Sequence, residues 1–323
     1  MIMARHPDYE TLVAAVELAV RAPSVHNSQP WLWRIGDDTV QLYADTARQL
    51  RQTDPDQRDL VVSCGAALHH LRVAAAGLGW ATVVHRLPNP AVPDHLAAVE
   101  FRPEPATAEA VGLSRAIASR HSDRRRYTSW EVPDMHIETL TAAAAANGVL
   151  VRDVVADDER VQLLRAFERA AAVHNADTAY RAELAQWSGH HATPDGVPAR
   201  SAVAATGVMS RPFADPGLPE AVMRDIAEAD HMLVLYTAGD DRVSRLRAGE
   251  ATSAILLAAT IFGLATCPLS EPLEVPEVRA HLRTDLLGDS GYPQMIIRVG
   301  WAAAGSSLPP TPRRALDDVV ARL

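Results

Sequence analysis

Apolar residues recur at helical spacing from the start of the chain. Across residues 7–22, Leu12, Val13, Val16 and Val20 share one face while Asp8, Glu10 and Glu17 lie off it, which predicts an amphipathic helix. Two longer segments, GAALHHLRVAAAGLGWATVVHRLP from Gly65 and GEATSAILLAATIFGLATCPLSEP from Gly249, are apolar around most of their circumference. Each predicts a helix buried on all sides, starting at its glycine. Each meets a second glycine fourteen residues on, Gly79 and Gly263, then a Pro-punctuated loop and a strand-like segment, 95–102 and 294–302. The shared spacing suggests an internal duplication; two unrelated Ala-rich helices are the alternative. The run HMLVLYT at 231–237 reads as a short buried strand, and residues 157–172 as a helix.

On this pattern the first half spans residues 1–112 and the second 113–323, each with a buried central helix. Two such helices are what the interface of a fused dimer would contain. The second half carries a far longer stretch before its central helix, including the Gly/Pro-rich pieces WSGHHATPDGVPARS (187–201) and MSRPFADPGLPE (209–220). This predicts an insertion over about 175–228, either a lid or a plain excursion.

Composition narrows the function. A chain of 323 residues, 48% hydrophobic and 22% charged, is ordinary globular material large enough for two lobes. A net charge of −9 argues against a nucleic-acid partner. All 31 basic residues are Arg, so a lysine Schiff base and a Walker-A lysine are both excluded. Any anionic ligand must be held by Arg, backbone N–H groups and helix ends. Cys64 and Cys267 are too few for a disulfide framework or zinc site, and His69-His70 and His190-His191 lack partners at ligand spacing, so no metal is expected. The longest uncharged run, 251–270, holds several small polar residues and Pro268, and reads as a core helix and not a membrane span. No signal peptide is legible at the start, and a cytoplasmic protein is expected.

Four segments carry candidate chemistry. RAPSVHNSQPW (21–31) puts a turn after the opening helix, then small polar side chains and a Trp. Asn27 and Gln29 can each donate and accept, which suits a heterocycle edge; a helix-capping loop would explain the segment equally well. SRHSDRRRYTSWEVPD (119–134) offers several Arg and a Ser for phosphate oxygens, against the alternative of a solvated face. CPLSEP (267–272) follows the second central helix, and PPTPRRALDDVV (309–320) is a terminal Pro/Arg segment.

These segments resemble the nitroreductase family, and in their asymmetry its single-chain, Acg-type actinobacterial branch. Ala22, Pro23, Ser24, Asn27, Gln29, Pro30 and Trp31 match the family's A-P-S-x-x-N-x-Q-P-W loop, which packs on the FMN ring. The resemblance implies flavin contacts from Ser24, His26, Asn27, Ser28 and Gln29. Arg120, Ser122 and Arg124, with Tyr127 and Val132-Pro133 behind them, resemble the R-x-S-x-[RK] phosphate clamp, and His121 lies within it. One extra residue before Tyr127 leaves open whether Arg124 or Arg125 faces the flavin. Pro268, Leu269 and Ser270 match a P-[IL]-x-G loop near flavin N5, with Glu271 where Gly is common. Arg313 and Arg314 resemble a closing arm that reaches the phosphate.

The ring loop lies in the first half and the phosphate clamp in the second, which predicts one FMN site per chain built from both. The implied fold is α+β: two fused pseudo-repeats with mainly antiparallel sheets and buried central helices. The implied function is an NAD(P)H-dependent flavin oxidoreductase reducing nitro or quinone-type acceptors. Hydride chemistry belongs to flavin N5, with Ser270 near it and Arg124 supplying positive charge. The rival is a protein that binds and sequesters FMN without efficient turnover. A small-molecule acceptor is the expected partner, and a monomer is favoured because the dimer interface is internal, further association staying open.

Overall fold

The computed structural model describes residues 6–191, 193–219, 229–303 and 308–323; parts of the anticipated insertion, residues 192 and 220–228, lie outside these. The opening helix, α1 (Tyr9–Ala19), is shorter than its periodicity because Asp8 caps it, accepting from Thr11 N, and the chain turns after Val20 toward Pro23. A hairpin follows, β1 (Trp31–Ile35) and β2 (Thr39–Ala44). In β1 Trp31, Trp33 and Ile35 are buried while Leu32 and Arg34 are exposed, the alternation of a sheet with one wet face. The central helix α2 (Arg58–Gly77) leads to β3 (Trp80–Arg86) and β4 (His95–Pro103), and α3 (Ala108–Ser119) links to the second half.

There α4 (Asp134–Ala145) and β5 (Leu150–Asp153) precede α5 (Asp157–Ala176), α6 (Thr178–Gln186) and a small parallel pair, β6 (Ser188–His190) with β7 (Val197–Pro198). Next come β8 (His231–Thr237), the second central helix α7 (Arg242–Ile261) and β9 (Ala265–Leu269). Two short helices, α8 (Glu271–Glu274) and α9 (Pro276–His281), are followed by β10 (Tyr292–Gly300) and a last strand, β11 (Val320–Arg322). The molecule is α+β, with sheets ordered β11-β1-β2-β4-β3 and β5-β8-β10-β9. Without β11 the two orders are equivalent, and in both every neighbouring pair is antiparallel.

Within these two sheets, among the described residues, β11 alone is parallel to its neighbour, with Trp33 opposite Val320. The C-terminal arm thus returns from the second half to the first sheet. The division at 112/113 falls inside α3, so it marks no break in the structure.

The two central helices pack against each other, each 20 residues long. Gly65 and Gly249 are not their first residues; they sit at equivalent positions well inside, where the backbones cross. A Cβ on Gly65 would lie 2.0 Å from Leu246 O, and one on Gly249 1.9 Å from Val62 O. The contact is reciprocal, as at a two-fold axis, since Val62 and Leu246 each precede their own glycine by one helical turn. Gly79 and Gly263 stop the two helices at φ +89° and +75°. Hence the uncharged run 251–270 is helix only to Ile261, and its last part is β9.

The strand reading of 231–237 holds, and its continuous apolarity has a cause. Leu233 and Leu235 of β8 pack with Leu140, Ile255 and Ile297 on the α7 side, while Met232 and Val234 pack with Phe167 and Leu273 on the α5 side. Helix α2 is long and apolar enough to span a membrane by composition, but most of it is buried in the core.

Candidate functional site

A cavity of about 550 Å³ opens where the two halves meet the 203–213 segment. Its wall takes Ser24 and His26 from the loop after α1, Ser122 and Arg124 from the segment after α3, and Pro268, Leu269 and Ser270 from the end of β9. The structure therefore brings together three of the four sequence segments. Apolar surface comes from Val62 of α2, Leu164 and Phe167 of α5, Met209 and Phe213.

The loop after α1 is held in an unusual conformation. His26, Asn27 and Gln29 all have left-handed backbones, with φ of 45°, 55° and 50°. Such positions cost non-glycine residues roughly 1–2 kcal/mol each, so the surroundings must impose them. Ser24 Oγ accepts from Gln29 N (2.9 Å), and Ser63 Oγ of α2 accepts from Val25 N (3.1 Å). Asn27 Nδ2 donates to Gly196 O and Pro312 O, and Gln29 Nε2 to Pro194 O. Arg314 N donates to Gln29 Oε1 and Arg48 Nε to Ser28 O. The amides of Asn27 and Gln29 thus tie the loop to the insertion and to the C-terminal arm, away from the cavity wall. Ser28 is fully buried behind them.

Arg313 donates to Val20 O, Arg21 O and Ala22 O, carbonyls just past the end of α1, and to Asn27 Oδ1. Arg314 pairs with Asp45. Both arginines fasten the loop and neither lines the cavity. Arg120 lies off the cavity too: its Nη2 reaches Arg21 O at 3.5 Å, and its Nε and Nη1 have no partner among the described residues. Burial, with Arg21 beside it, pushes its guanidinium down to about 10. His121 Nδ1 bonds Ser119 O, also away from the cavity.

Arg124 and Arg125 point in different directions. Arg125 folds back on Asp123 through Nε (2.9 Å) and Nη2 (2.7 Å), whereas Arg124 faces the cavity. Arg124 donates to Ser201 O (3.2 Å) and lies over the Phe213 ring, with no carboxylate paired to it among the described residues. Burial lowers its proton affinity.

A charged chain that sequence reasoning missed runs along one wall. Glu274, fully buried, accepts from Arg211 Nη2 and from Ser270 Oγ, both at 2.7 Å. Arg211 Nη1 donates to His26 Nε2 at 2.6 Å. Burial first, then Arg211 and Arg124, hold His26 well below the usual imidazole range, so the ring is neutral. Because a guanidinium only donates, Nε2 is the acceptor and the ring proton resides on Nδ1. That Nδ1–H has no partner among the described residues. Glu271 sits in the wall beside His174 Nδ1 (3.4 Å); burial would raise its carboxyl, but Arg211 and His174 outweigh that and hold it below the usual range. Arg211 and Glu274 are single charges in separate segments, and no spacing announces them. Cys267, in the wall, and Cys64 are free buried thiols.

The Nitroreductase family model matches residues 117–301, more than half of the chain. The chain belongs to the nitroreductase family. It is 46% identical over 321 residues to the Mycobacterium tuberculosis (strain ATCC 25618 / H37Rv) protein named "Putative NAD(P)H nitroreductase Rv3131", covering 97% of this chain and 92% of that protein. With "Putative NAD(P)H nitroreductase acg" of the same strain it shares 38% identity over 319 residues, 96% of this chain and 95% of the relative. Among solved structures, the FMN-dependent nitroreductase NfnB from Mycobacterium smegmatis in complex with NADPH aligns at a TM-score of 0.41 and 16% identity, over 65% of this chain and 97% of that one.

Proposed function

We propose that this chain is an NAD(P)H-dependent flavin oxidoreductase that holds one FMN in the cavity and reduces small nitro or quinone-type acceptors there. Its membership of the nitroreductase family supports the reaction class. The observation that carries the cofactor assignment is the donor set. Among the described residues His26 Nδ1–H is buried without a partner and Arg124 is paired with no carboxylate, although both line one cavity. Such a site fits a flat, anionic heterocycle with carbonyl and ring-nitrogen acceptors. The volume lies within the roughly 300–1,000 Å³ typical of ligand sites, and Val62, Leu269 and Phe213 offer apolar surface for a ring.

When bound, FMN supplies the two-electron chemistry, accepting hydride from the nicotinamide and passing it on. The chain's own residues position and polarise it. Arg124 places positive charge where an electron-rich ring is favoured, and His26 donates through Nδ1. Ser270 spends its proton on Glu274, which leaves its oxygen an acceptor for a ring N–H. Ser24, Ser122, Pro268 and Leu269 complete the contacts from the predicted set. Asn27, Ser28, Gln29, Arg313 and Arg314 act by fixing the loop that carries His26, while Arg120 and His121 stand behind it.

The two halves are read as a fused pseudo-dimer, a reading supported by the matching strand orders and the reciprocal glycine contact. With that interface internal, a monomer carrying one FMN is expected. Anaerobic mixing of the FMN-loaded protein with NADH or NADPH should bleach the flavin spectrum, and a nitroaromatic or quinone should restore it. An FMN-to-chain ratio near two would refute the single site. Absence of bleaching over minutes would favour FMN sequestration, a reading supported by the 203–213 segment standing in the cavity wall.

A further inference from the structure

Two acidic groups of the cavity wall, Asp59 and Glu271, are left unused by the proposed flavin contacts. Against its burial, Glu271 is held by Arg211 and His174 below the usual carboxylate range, which leaves Asp59 as the candidate acid. It lies in the first turn of α2, is only 2% exposed, and lines the cavity one turn from Val62 and Ser63. Neither carboxyl oxygen makes a hydrogen bond among the described residues. Arg58 Nη2 lies 2.8 Å from Oδ1 as a buried ion pair, but the two groups are not aligned for a hydrogen bond. Arg58 spends Nη1 on Gln294 O at 2.6 Å. An ionised carboxylate in this position would be poorly solvated; a protonated one is better tolerated.

We propose that Asp59 is the catalytic acid for the acceptor half of the reaction, delivering a proton to the acceptor's oxygen from the cavity wall. The proposal rests on the oxidoreductase reading above. In the step, the Asp59 O–H bond breaks and its proton goes to an oxygen of the acceptor, while two electrons and the other hydrogen arrive as hydride from reduced flavin. For a nitro compound one N–O bond breaks, water leaves and the nitroso compound remains. For a quinone the product is the hydroquinone. The Asp59 carboxylate then regains a proton from solvent, closing the balance.

The surrounding charges suit an acid that is loaded at neutral pH. Arg58 faces it from the start of α2, Asp54 from the loop before that helix, Glu274 from α8 and Arg211 from the insertion. Burial is the largest influence and, with Asp54 and Glu274, outweighs the two arginines, raising the Asp59 carboxyl to about 8. The active form is the protonated one, so acceptor reduction should be full below that pH and fall as pH rises through it.

The test uses FMN-loaded protein reduced with dithionite, which bypasses the nicotinamide, then mixed with a nitroaromatic or a quinone across pH 6 to 9. Wild-type reoxidation should slow above about pH 8, and in Asp59→Asn it should slow on the order of 100-fold with the pH step gone. Independently, the infrared spectrum of the flavin-free protein at neutral pH should contain a protonated-carboxyl C=O stretch that Asp59→Asn removes. Wild-type reoxidation without a step near pH 8, an Asp59→Asn rate equal to wild type, or no such infrared band would each overturn the assignment. If NADPH fails to reduce the wild type but dithionite-reduced protein shows the step, the nicotinamide reading falls and the Asp59 assignment stands. Should Asp59→Asn lose FMN, the wild-type pH profile and infrared band still decide.

Discussion

Replacing Gly65 with Ala should destabilise the protein, against the ordinary effect of that change in a helix. Ala exceeds Gly in helix propensity by about 1 kcal/mol, so a helix considered alone predicts a gain. At Gly65 the new methyl would lie 2.0 Å from Leu246 O and 3.0 Å from the Gly249 Cα, a shortfall of about 1.4 Å against the 3.4 Å at which ordinary contact begins. The obstacle is a main-chain carbonyl, which cannot swing aside as a side-chain tip would. The two central helices must part along their crossing, and a gap of this size forfeits roughly half or more of each dispersion contact it opens. Overpacking of a core costs roughly 1–3 kcal/mol and here should reach the upper end or beyond, leaving a net loss of about 2 kcal/mol. The walls of the cavity would move too, because Val62, Ser63 and Ala66 on α2 and Thr252 on α7 all line it. The assay is urea denaturation at constant slope, with FMN content measured beside it. Gly112→Ala in α3 is the control: nothing lies within 4 Å of its would-be methyl, so it should gain up to about 1 kcal/mol. If Gly65→Ala shifts the midpoint in the same direction as Gly112→Ala, the close-crossing argument is wrong. The double change Gly65→Ala with Gly249→Ala should cost less than the two singles together, since helices already parted meet the second methyl more cheaply.

Other expectations concern the loop, the clamp and pH. Arg124→Ala should weaken FMN binding about tenfold to a hundredfold, the worth of a charge-assisted contact, whereas Arg125→Ala should leave FMN titrations nearly unchanged and lower stability through Asp123. Arg313→Ala removes the donor that serves the Val20, Arg21 and Ala22 carbonyls just past α1 and Asn27, so amide exchange across residues 24–29 should accelerate; unchanged protection would mean the arm does not hold the loop. For Asp240, burial would raise the carboxyl, but Arg279, Gln294 and Arg245 outweigh it and hold it well below the usual range. Its stabilising contribution is therefore present above the unfolded value of about 4 and lost as pH falls below it, so the stability gap between wild type and Asp240→Asn should close in acid.

Three of the four segments singled out in the chain meet at the cavity, but the direction each side chain takes was not legible there. Asn27 and Gln29 are amides on a turn, and composition alone cannot say whether they serve a ligand or a neighbouring backbone. Their partners, Pro194, Gly196 and Pro312, lie in loops with no periodicity to place them. The glycine spacing was visible, yet a glycine within an apolar run reads first as a helix boundary. Only the packed pair reveals that Gly65 and Gly249 are there for lack of a Cβ. Asp59, Arg211 and Glu274 come from three separate segments and match no spacing rule. Burial is what converts them from surface charges into a chain of coupled groups, and burial is a property of the whole fold.

The position of the insertion bears on why there should be one site and not two. In the first sheet β1 and β2 are joined by the tight turn at 36–38. In the second sheet the equivalent strands β5 and β8 are joined by everything between residues 153 and 231, and the described part includes α5, Phe167, Arg211 and Phe213. That connection supplies one wall of the cavity, and the first half has no counterpart to it. In a homodimer an insertion of this kind would appear twice, and each subunit's hairpin would have to tolerate it. In a single chain, one half can lengthen its connection and build a wall while the other keeps a short hairpin and contributes the strained loop with His26. Shortening the insertion between Val203 and Phe213 should accordingly strip FMN while leaving the reciprocal α2–α7 contact and most of the stability intact. Loss of global stability in step with FMN would mean the insertion is part of the core and not a wall added to it.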